Sequence, residues 1–499
     1  MNVTIRADAS PAIGSGHVMR CLCLADALRG AGCSVRFICR SLPRHLRDLI
    51  RQHGHVLVEL PPLDDLPARP ESPWPDALQQ QDARETAALL PGDAARSWLI
   101  VDHYGLGLAW EASLRIDSRH VLVVDDLGRA HDCDLLLDQN LYADPEARYA
   151  GRLPAQAQHL LGPSYALLRP EFLAARAHAQ AREGAVRKLL VFLGGMDAAN
   201  ATSAVLRVVE RIRPPDLEVD VVIGASHPAR QAIESRAARS TWLRCHVQTS
   251  DMAALCAAAD LAIGAGGSAT WERCAVGLPT LALCLAENQR QLLREGACHG
   301  LLYAIEEASP SSSTLLRHIW ALLTNTGLRN HLSRTGLATV DAQGTARVVA
   351  HLLAAGVVVR AACEEDASQL RAWRNQSRVR AASRQTQEIS RKDHAQWLRQ
   401  VLASPDRHLL IGEVEGQPIG AIRYDIEGDR AEVSIYLAPS DQARGQGLAL
   451  LQSAQHWLQT QCPGIHQLDA EVLGDNAPSH RLFAQAGYQR VSTRYLQRI

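Results

Sequence analysis

The sequence predicts an α/β protein: two Rossmann-like, doubly wound domains followed by a smaller α+β domain. Three observations carry this reading. The chain has 499 residues, enough for about three domains at ~150 residues each. Short runs rich in Leu, Val and Ile alternate with helical patterns up to about residue 350. Continuous apolar strands alternating with helices mean a parallel sheet covered on both faces. From about Val357 the pattern changes to helical stretches, a hairpin and a mixed α+β order.

In the first domain, "NVTIRA", "SVRFICR", "HVLVEL", "SWLIVDHY", "RHVLVVDD" and "CDLLLDQN" read as strands, with a helix over 17–29 among the intervening helical stretches. The pattern restarts at "RKLLVFLGG", "LEVDVVIGA", "DLAIGAGGS" and "LPTLALC". The expected boundaries are 1–155, 156–355 and 357–499, with "GPSYALLRPEF" at the first join and Gly356 at the second. Pro61–Pro75 reads as a surface loop, and "SPSSST" as a loop ending in a helix N-cap. In the last domain, "DASQLRAWRNQ" and "SRKDHAQWLRQVL" read as helices. The hairpin "HLLIGEVEGQPIGAIRYD" turns at Glu415-Gly416-Gln417, and "RAEVSIYLAP", a glycine loop, a helix and "HQLDAEVL" follow.

Composition excludes several functions. Charge is balanced, 52 Lys+Arg against 53 Asp+Glu, so no nucleic-acid partner is expected. Twelve cysteines occur without a C-x-x-C pair or paired His/Cys spacing, which argues for free thiols, a reducing cytoplasmic setting and no metal site. No apolar run reaches the length of a membrane span, so no membrane partner is expected. Neither Rossmann-like half carries G-x-G-x-x-G with a ribose-binding acid at the dinucleotide spacing, which argues against a nicotinamide cofactor.

Two stretches in the first 350 residues carry candidate chemistry. In "SGHVMRCLCLADALRG", His17 sits where a strand's loop feeds a helix, flanked by Gly14 and Gly16. Imidazole titrates near neutrality and suits a general base, although a histidine can equally occupy a helix's first turn without chemistry. Asp8 is placed either to orient that ring or to close the turn after the strand. In "LAIGAGGSATWERCAVGLP", Gly266, Gly267 and Ser268 open a helix, where backbone amides and the helix dipole favour a pyrophosphate. Glu272, one turn in, is positioned to accept ribose hydroxyls, or is a solvated glutamate beside a turn.

The ordered blocks "IRADAS", "IGSGHVMRCLCLADAL", "VDHY", "VDDL", "CDLLLDQN", "GPSYALLRPEF", "FLGGMD", "GAGGSATWE" and "LAENQ" resemble the UDP-2,4-diacetamido-2,4,6-trideoxy-β-L-altropyranose hydrolases of pseudaminic acid biosynthesis over about 1–350. The resemblance implies a GT-B arrangement of the two Rossmann-like domains. It implies inverting C–O cleavage by water, with His17 as general base, Gly16 leaving room for the sugar and Tyr104 lining the sugar pocket. UDP then lies on Gly266, Gly267, Ser268 and Glu272, with Asn288 and Gln289 near the diphosphate or sugar. Met196 departs from the small or hydroxylated residue frequent in relatives.

In the last domain, Gln442, Arg444, Gly445 and Gly447 frame a loop that opens a helix after "AEVSIYLAP". With the hairpin before it and "NAPSHRLFAQAGYQRV" after it, this order resembles the GCN5-related N-acetyltransferases over about 357–499. The resemblance implies acetyl-CoA as co-substrate along 433–437 and 442–447, with Asn476 at the pantetheine arm. Glu432 is a possible base through water or an exposed strand carboxylate. Phe483 stands where many relatives have a tyrosine acid, and Tyr488 nearby is expected to pack in the core, so the acid is unassigned. Trp373, Arg374, Asn375, His394 and Trp397 resemble acetyltransferases that act on nucleotide-linked amino sugars. The expectation is a bifunctional enzyme that acetylates a UDP-4-amino sugar and then hydrolyses the product. Two alternatives stay open: a GT-B glycosyltransferase fused to an unrelated acetyltransferase, and a non-catalytic nucleotide-sugar-binding protein.

Overall fold

The computed structural model describes residues 1–10, 13–63, 66–67, 72–91, 97–115, 120–307, 309–354, 356–414, 416–439, 446–473 and 476–491. The chain forms two compact units, Met1–Thr345 and Ala346–Ile499.

The first unit contains two parallel sheets. The first half runs β1 (Asn2–Ala7), α1 (Gly16–Gly30), β2 (Ser34–Cys39), α2 (Arg44–Gln52), β3 (Val56–Glu59), α3 (Asp76–Ala87), β4 (Ser97–Asp102), α4 (Leu108–Leu114), β5 (His120–Val124), β6 (Leu135–Asp138), α5 (Pro145–Tyr149) and β7 (Gln158–Leu161). Its strand order is β3-β2-β1-β4-β5-β6-β7. The second half runs α6 (Pro170–Arg176), β8 (Lys188–Phe192), α7 (Ala201–Ile212), β9 (Glu218–Ile223), α8 (Arg230–Ala238), β10 (Leu243–Val247), α9 (Met252–Ala258), β11 (Leu261–Ala265), α10 (Ala269–Ala275), β12 (Thr280–Leu283), α11 (Gln289–Cys298), β13 (Tyr303–Ile305), α12 (Ser312–Thr324) and α13 (Thr326–Thr339). Its order is β10-β9-β8-β11-β12-β13. Two Rossmann-like halves in series give the GT-B architecture that the resemblance implied.

The strand composition explains the layers. Every residue of Ser97–Asp102 and Thr280–Leu283 is buried, as sheets covered on both faces require. In the second half, Leu190, Ala262 and Ala282 pack into one apolar cluster, while Leu189, Val191, Leu261, Ile263, Leu281 and Leu283 pack into another. Successive residues along each strand thus serve opposite faces. In both sheets the order reverses at one place: β1 beside β4, and β8 beside β11. Loops diverge there beyond the carboxyl ends of the strands, leaving a crevice for ligands.

The second unit begins within α14 (Gly344–Ala354). It continues as β14 (Val357–Ala361), α15 (Ala367–Arg374), α16 (Ser377–Ala381), α17 (Arg391–Leu402), β15 (Arg407–Val414), β16 (Gln417–Glu427), β17 (Arg430–Leu437), α18 (Gly447–Gln461), β18 (Gln467–Asp469) and α19 (Ala477–Gln485). The sheet order is β14-β15-β16-β17-β18. All pairings are antiparallel except the parallel β17–β18 pair.

Three sequence expectations change. The first half extends past residue 155, because "QHLL" forms β7 and pairs with β6 from Leu135↔Gln158 to Asp138↔Leu161. The second unit starts at Ala346, ahead of the expected 357, because α14 bonds within it: Arg347 Nε donates to Gln485 O and Ser453 Oγ donates to Ala354 O. A strand, β14, precedes its helices. The hairpin turn falls between Val414 and Gln417, with Gly416 at φ +71°, while Glu415 lies outside the described residues.

Candidate functional site

His17 is the second residue of α1 and is 5 % exposed. Its Nδ1 meets Asp102 Oδ1, at the carboxyl end of the neighbouring strand β4. Asp102 is 0 % exposed and is held by a fork from Arg20: Nε to Oδ2 at 2.6 Å and Nη2 to Oδ1 at 2.7 Å. Burial works to raise the Asp102 carboxyl, but Arg20 and His17 together hold it well below the usual carboxylate range. An ionised Asp102 accepts a proton-bearing Nδ1, which leaves the lone pair on Nε2 of His17. In that arrangement Nε2 can accept a proton.

Tyr104, two residues beyond Asp102, stands perpendicular to the His17 ring with centroids 4.5 Å apart. Its hydroxyl donates to Asp126 Oδ2 at 3.1 Å and accepts from Asn288 Nδ2 at 3.0 Å. Burial, reinforced by Asp126, pushes this hydroxyl well above its ordinary pKa, so it stays a donor near neutrality. Asn288 is the N-cap of α11, so this bond joins the two halves of the unit. Arg129 fixes the Tyr104 loop from below, donating from Nη1 to Tyr104 O at 2.6 Å and from Nε to Asp125 at 3.1 Å.

Asp8 does not orient His17. Arg6 and Asp8 share a face of the extended strand end by the period of two, and Arg6 Nη1 donates to Asp8 Oδ1 at 2.8 Å. Asp8 also accepts from the amides of Arg40 and Ser41 and bonds His103 Nε2 at 3.1 Å. It ties β1 to the loop after β2, and Asp102 takes the orienting role.

In the second half, Gly266, Gly267 and Ser268 connect β11 to α10, and Ser268 makes no side-chain cap bond. The loop is pinned beneath by buried Arg273, which donates from Nη2 to Ala265 O at 2.9 Å and from Nε to Thr280 Oγ1 at 3.1 Å. A side chain at Gly264 would meet Arg273 Nη1 at 2.7 Å, and one at Gly266 would meet Leu293 at 2.9 Å. Glu272 lies in the first turn of α10, and its Oε1 accepts from Arg169 at 3.1 Å. Gln289 turns inward, where its Oε1 accepts from Leu285 N at 3.1 Å. The loop after β8 comes close to the start of α1: a Cβ on Gly195 would lie 3.8 Å from Ser15 Oγ, one residue before Gly16. Met196 follows in that loop, and Asp197 anchors it by accepting from Ala201 N and Thr202 N.

The second unit offers a different geometry. β18 pairs with β17 only at residues 430–432. Val433–Leu437 pair with β16 on one side and have no strand on the other among the described residues. An exposed strand edge offers main-chain donors and acceptors to an extended ligand. The helix expected after the glycine loop does open at Gly447, while Gln442, Arg444 and Gly445 lie outside the described residues. Asn476 Oδ1 caps α19 by accepting from Ser479 N at 3.2 Å. Glu432 has a side chain 51 % exposed and pairs with Arg384 at 3.6 Å. Phe483 packs against Tyr488 at 5.0 Å, and the Tyr488 hydroxyl is buried without a partner among the described residues.

Trp373 meets Tyr436 of β17 at 6.4 Å, and burial pushes the Tyr436 hydroxyl up despite nearby Arg374 and Arg423. The rings of His394 and Trp397 meet at a tilt of 48° on α17, centroids 5.3 Å apart, with Arg423 over Trp397. Asn375 has a structural bond set: Nδ2 donates to Ile389 O and Oδ1 accepts from Ile389 N. No cluster able to hold a metal ion occurs among the described residues, and none of their helices is long and apolar enough to cross a membrane.

The sequence reading missed Asp102, Arg20, Asp126, Arg169 and Arg273. Two signals were available: the acid ending the apolar run "SWLIVD", and the three-residue spacing of His17 and Arg20 on one helix face.

Residues 368–488 match the Acetyltransferase (GNAT) family. The spore coat polysaccharide biosynthesis protein SpsG of Bacillus subtilis is 27 % identical over 361 residues, covering 70 % of this chain and 98 % of that protein. The UDP-2,4-diacetamido-2,4,6-trideoxy-β-L-altropyranose hydrolase of Campylobacter jejuni is 26 % identical over 293 residues, covering 58 % of this chain and 93 % of its own. Among solved structures, MurG of Acinetobacter baumannii aligns over 70 % of this chain and 99 % of its own, at 13 % identity and a TM-score of 0.48. The chain therefore joins a region similar to a UDP-sugar hydrolase to one that matches the Acetyltransferase (GNAT) family.

Proposed function

We propose that this chain is a bifunctional enzyme of UDP-amino sugar metabolism. The second unit transfers acetyl from acetyl-CoA to the 4-amino group of a UDP-4-amino-4,6-dideoxy-N-acetyl-β-L-altrosamine. The first unit hydrolyses the resulting UDP-2,4-diacetamido-2,4,6-trideoxy-β-L-altropyranose to the free sugar and UDP, as in pseudaminic acid biosynthesis. The observation that carries the reading is the Asp102–His17 pair at the crevice between β1 and β4, beside the loops of the second half.

In the first step the substrate amine attacks the thioester carbonyl, loses a proton and releases the CoA thiol. The edge of Val433–Leu437, without a strand partner among the described residues, and the amino end of α18 suit the pantetheine arm and pyrophosphate of acetyl-CoA. In the second step His17 Nε2 takes a proton from water as its oxygen attacks the anomeric carbon. The C–O bond to UDP breaks and the carbon inverts. Gly266, Gly267 and Ser268 present amides to the diphosphate, Glu272 faces the ribose, and Asn288 and Tyr104 border the sugar. Donors held in place stabilise charge on the departing diphosphate without moving. The test is His17→Leu: UDP release falls by about 10²–10⁴-fold, the usual worth of a general base, while acetylation stays at the unaltered rate. Loss of acetylation as well, in a folded variant, contradicts the division of labour.

A further inference from the structure

The side chains around His17 form a closed circuit drawn from three elements. His17 Nδ1 bonds Asp102, and Asp102 takes the Arg20 fork. The third nitrogen of Arg20, Nη1, lies 3.5 Å from Asp126 Oδ2. That same oxygen accepts from Tyr104, whose ring returns to His17. Asn288 enters the circuit from the other half through the Tyr104 hydroxyl. A second bond crosses in the opposite direction, from Arg148 Nη1 of the first half to Gln291 Oε1 of the second at 3.0 Å.

Two features set this circuit apart from ordinary packing. Asp126 is not optimally satisfied: its Oδ1 is buried with no partner among the described residues. A buried carboxylate oxygen without a donor costs stability, so the residue's value lies in what Oδ2 holds. Its backbone oxygen accepts from Tyr142 and Arg148, which fixes the loop independently of the side chain. The Arg20 fork also fixes the plane of the Asp102 carboxylate, which one bond from His17 cannot do.

We propose that Arg20 and Asp126 are positioning residues of the hydrolytic site, and that Asn288 completes their circuit through Tyr104 so that closure of the two halves sets the His17 ring. The proposal rests on the hydrolase reading given above. Of the charged or titratable groups in the circuit, Arg20 from α1, Asp102 from β4 and Tyr104 from the loop after β4 meet His17 itself; Cys21 meets Asp102, and Asp126 from the loop after β5 meets Arg20 and Tyr104. Removing the Arg20 charge leaves Asp102 unshared, which favours imidazolium.

UDP release is measured across pH for the full chain and for Arg20→Gln, Arg20→Lys and Asp126→Asn. For Arg20→Gln, kcat is expected to fall about 10- to 100-fold with KM changed less than about threefold, the pattern of a lost transition-state interaction. The acid limb of its kcat/KM profile moves to higher pH, because a cation beside the base is lost. Arg20→Lys keeps the charge but not the fork, so it lowers kcat without moving that limb. Raised KM with kcat and the acid limb unchanged overturns the proposal. Asn288→Ala and Tyr104→Phe are compared singly and together: a double variant no slower than the worse single one supports the circuit, and independent losses oppose it. If the unaltered chain releases no UDP, the hydrolase reading fails. Proton NMR then tests the circuit alone: the His17 Nδ1–H resonance bonded to Asp102 must move in Arg20→Gln, and an unmoved resonance overturns it.

Discussion

On the proposed reading, the two candidate sites serve proton transfer at a sugar nucleotide with opposite means. At His17 the polar groups are buried and paired from several directions, by Asp102, Arg20, Tyr104 and Asp126. At β17 the main features are an edge with no strand beyond residue 432 among the described residues and a helix start, with Glu432 exposed. Abstracting a proton from water needs a base whose orientation is set before substrate arrives, and several elements must converge to set it. An amine that reaches a thioester already held along a strand needs mainly alignment. The difference teaches that preorganisation is concentrated where the nucleophile is weakest.

Four measurements press on this contrast. The largest effect is expected for Asp102→Asn, which keeps shape but not charge: UDP release falls by about 10²-fold or more, from loss of the Nδ1–H tautomer, and acetylation is untouched. Equal loss of both activities would contradict the contrast. Next, Gly264→Ala drives a methyl group to 2.7 Å from Arg273. Overpacking of this kind costs about 1–3 kcal/mol. Chemical denaturation of the first unit, with UDP binding measured by calorimetry, is expected to show lower stability and weaker binding together.

A smaller effect concerns pH. Burial opposes charge on His131, yet Asp125 and Glu111 raise it to about 9. A folded pKa above the unfolded value of about 6.5 contributes stability that is complete below that value and is lost as pH rises through about 9. Urea midpoints of the first unit therefore fall between pH 7 and 9, and His131→Gln flattens that dependence; an unchanged slope refutes it. The smallest effect is Glu432→Gln. With its side chain half-exposed beside Arg384, acetylation stays within about threefold of the unaltered rate, as for most surface substitutions. A loss of tenfold or more makes Glu432 the base.

Much of the fold was legible because buried parallel strands announce themselves: "SWLIVD" and "CDLLLD" need no periodicity analysis. β10 and β13 escaped notice, the first because "LRCHV" is half polar, the second because it has three residues. That His17, Tyr104 and Glu272 stand just beyond strand ends was legible from the apolar runs before them. Asp102 as partner of His17 was not, because 85 residues separate them and only the β1–β4 pairing brings them together. Asp8 was the nearer acid in sequence, but Arg6 had already claimed it. Arg20 and Asp126 illustrate the same limit, since linear spacing cannot show which strand ends share a crevice.

The central claim is that two consecutive reactions reside on one chain. Its most direct test gives the purified protein the UDP-4-amino sugar, with and without acetyl-CoA, and follows free UDP by chromatography. The account predicts UDP only when acetyl-CoA is present, with the diacetamido sugar as co-product. UDP released equally without acetyl-CoA, or an acetylated nucleotide sugar that accumulates uncleaved, would contradict it.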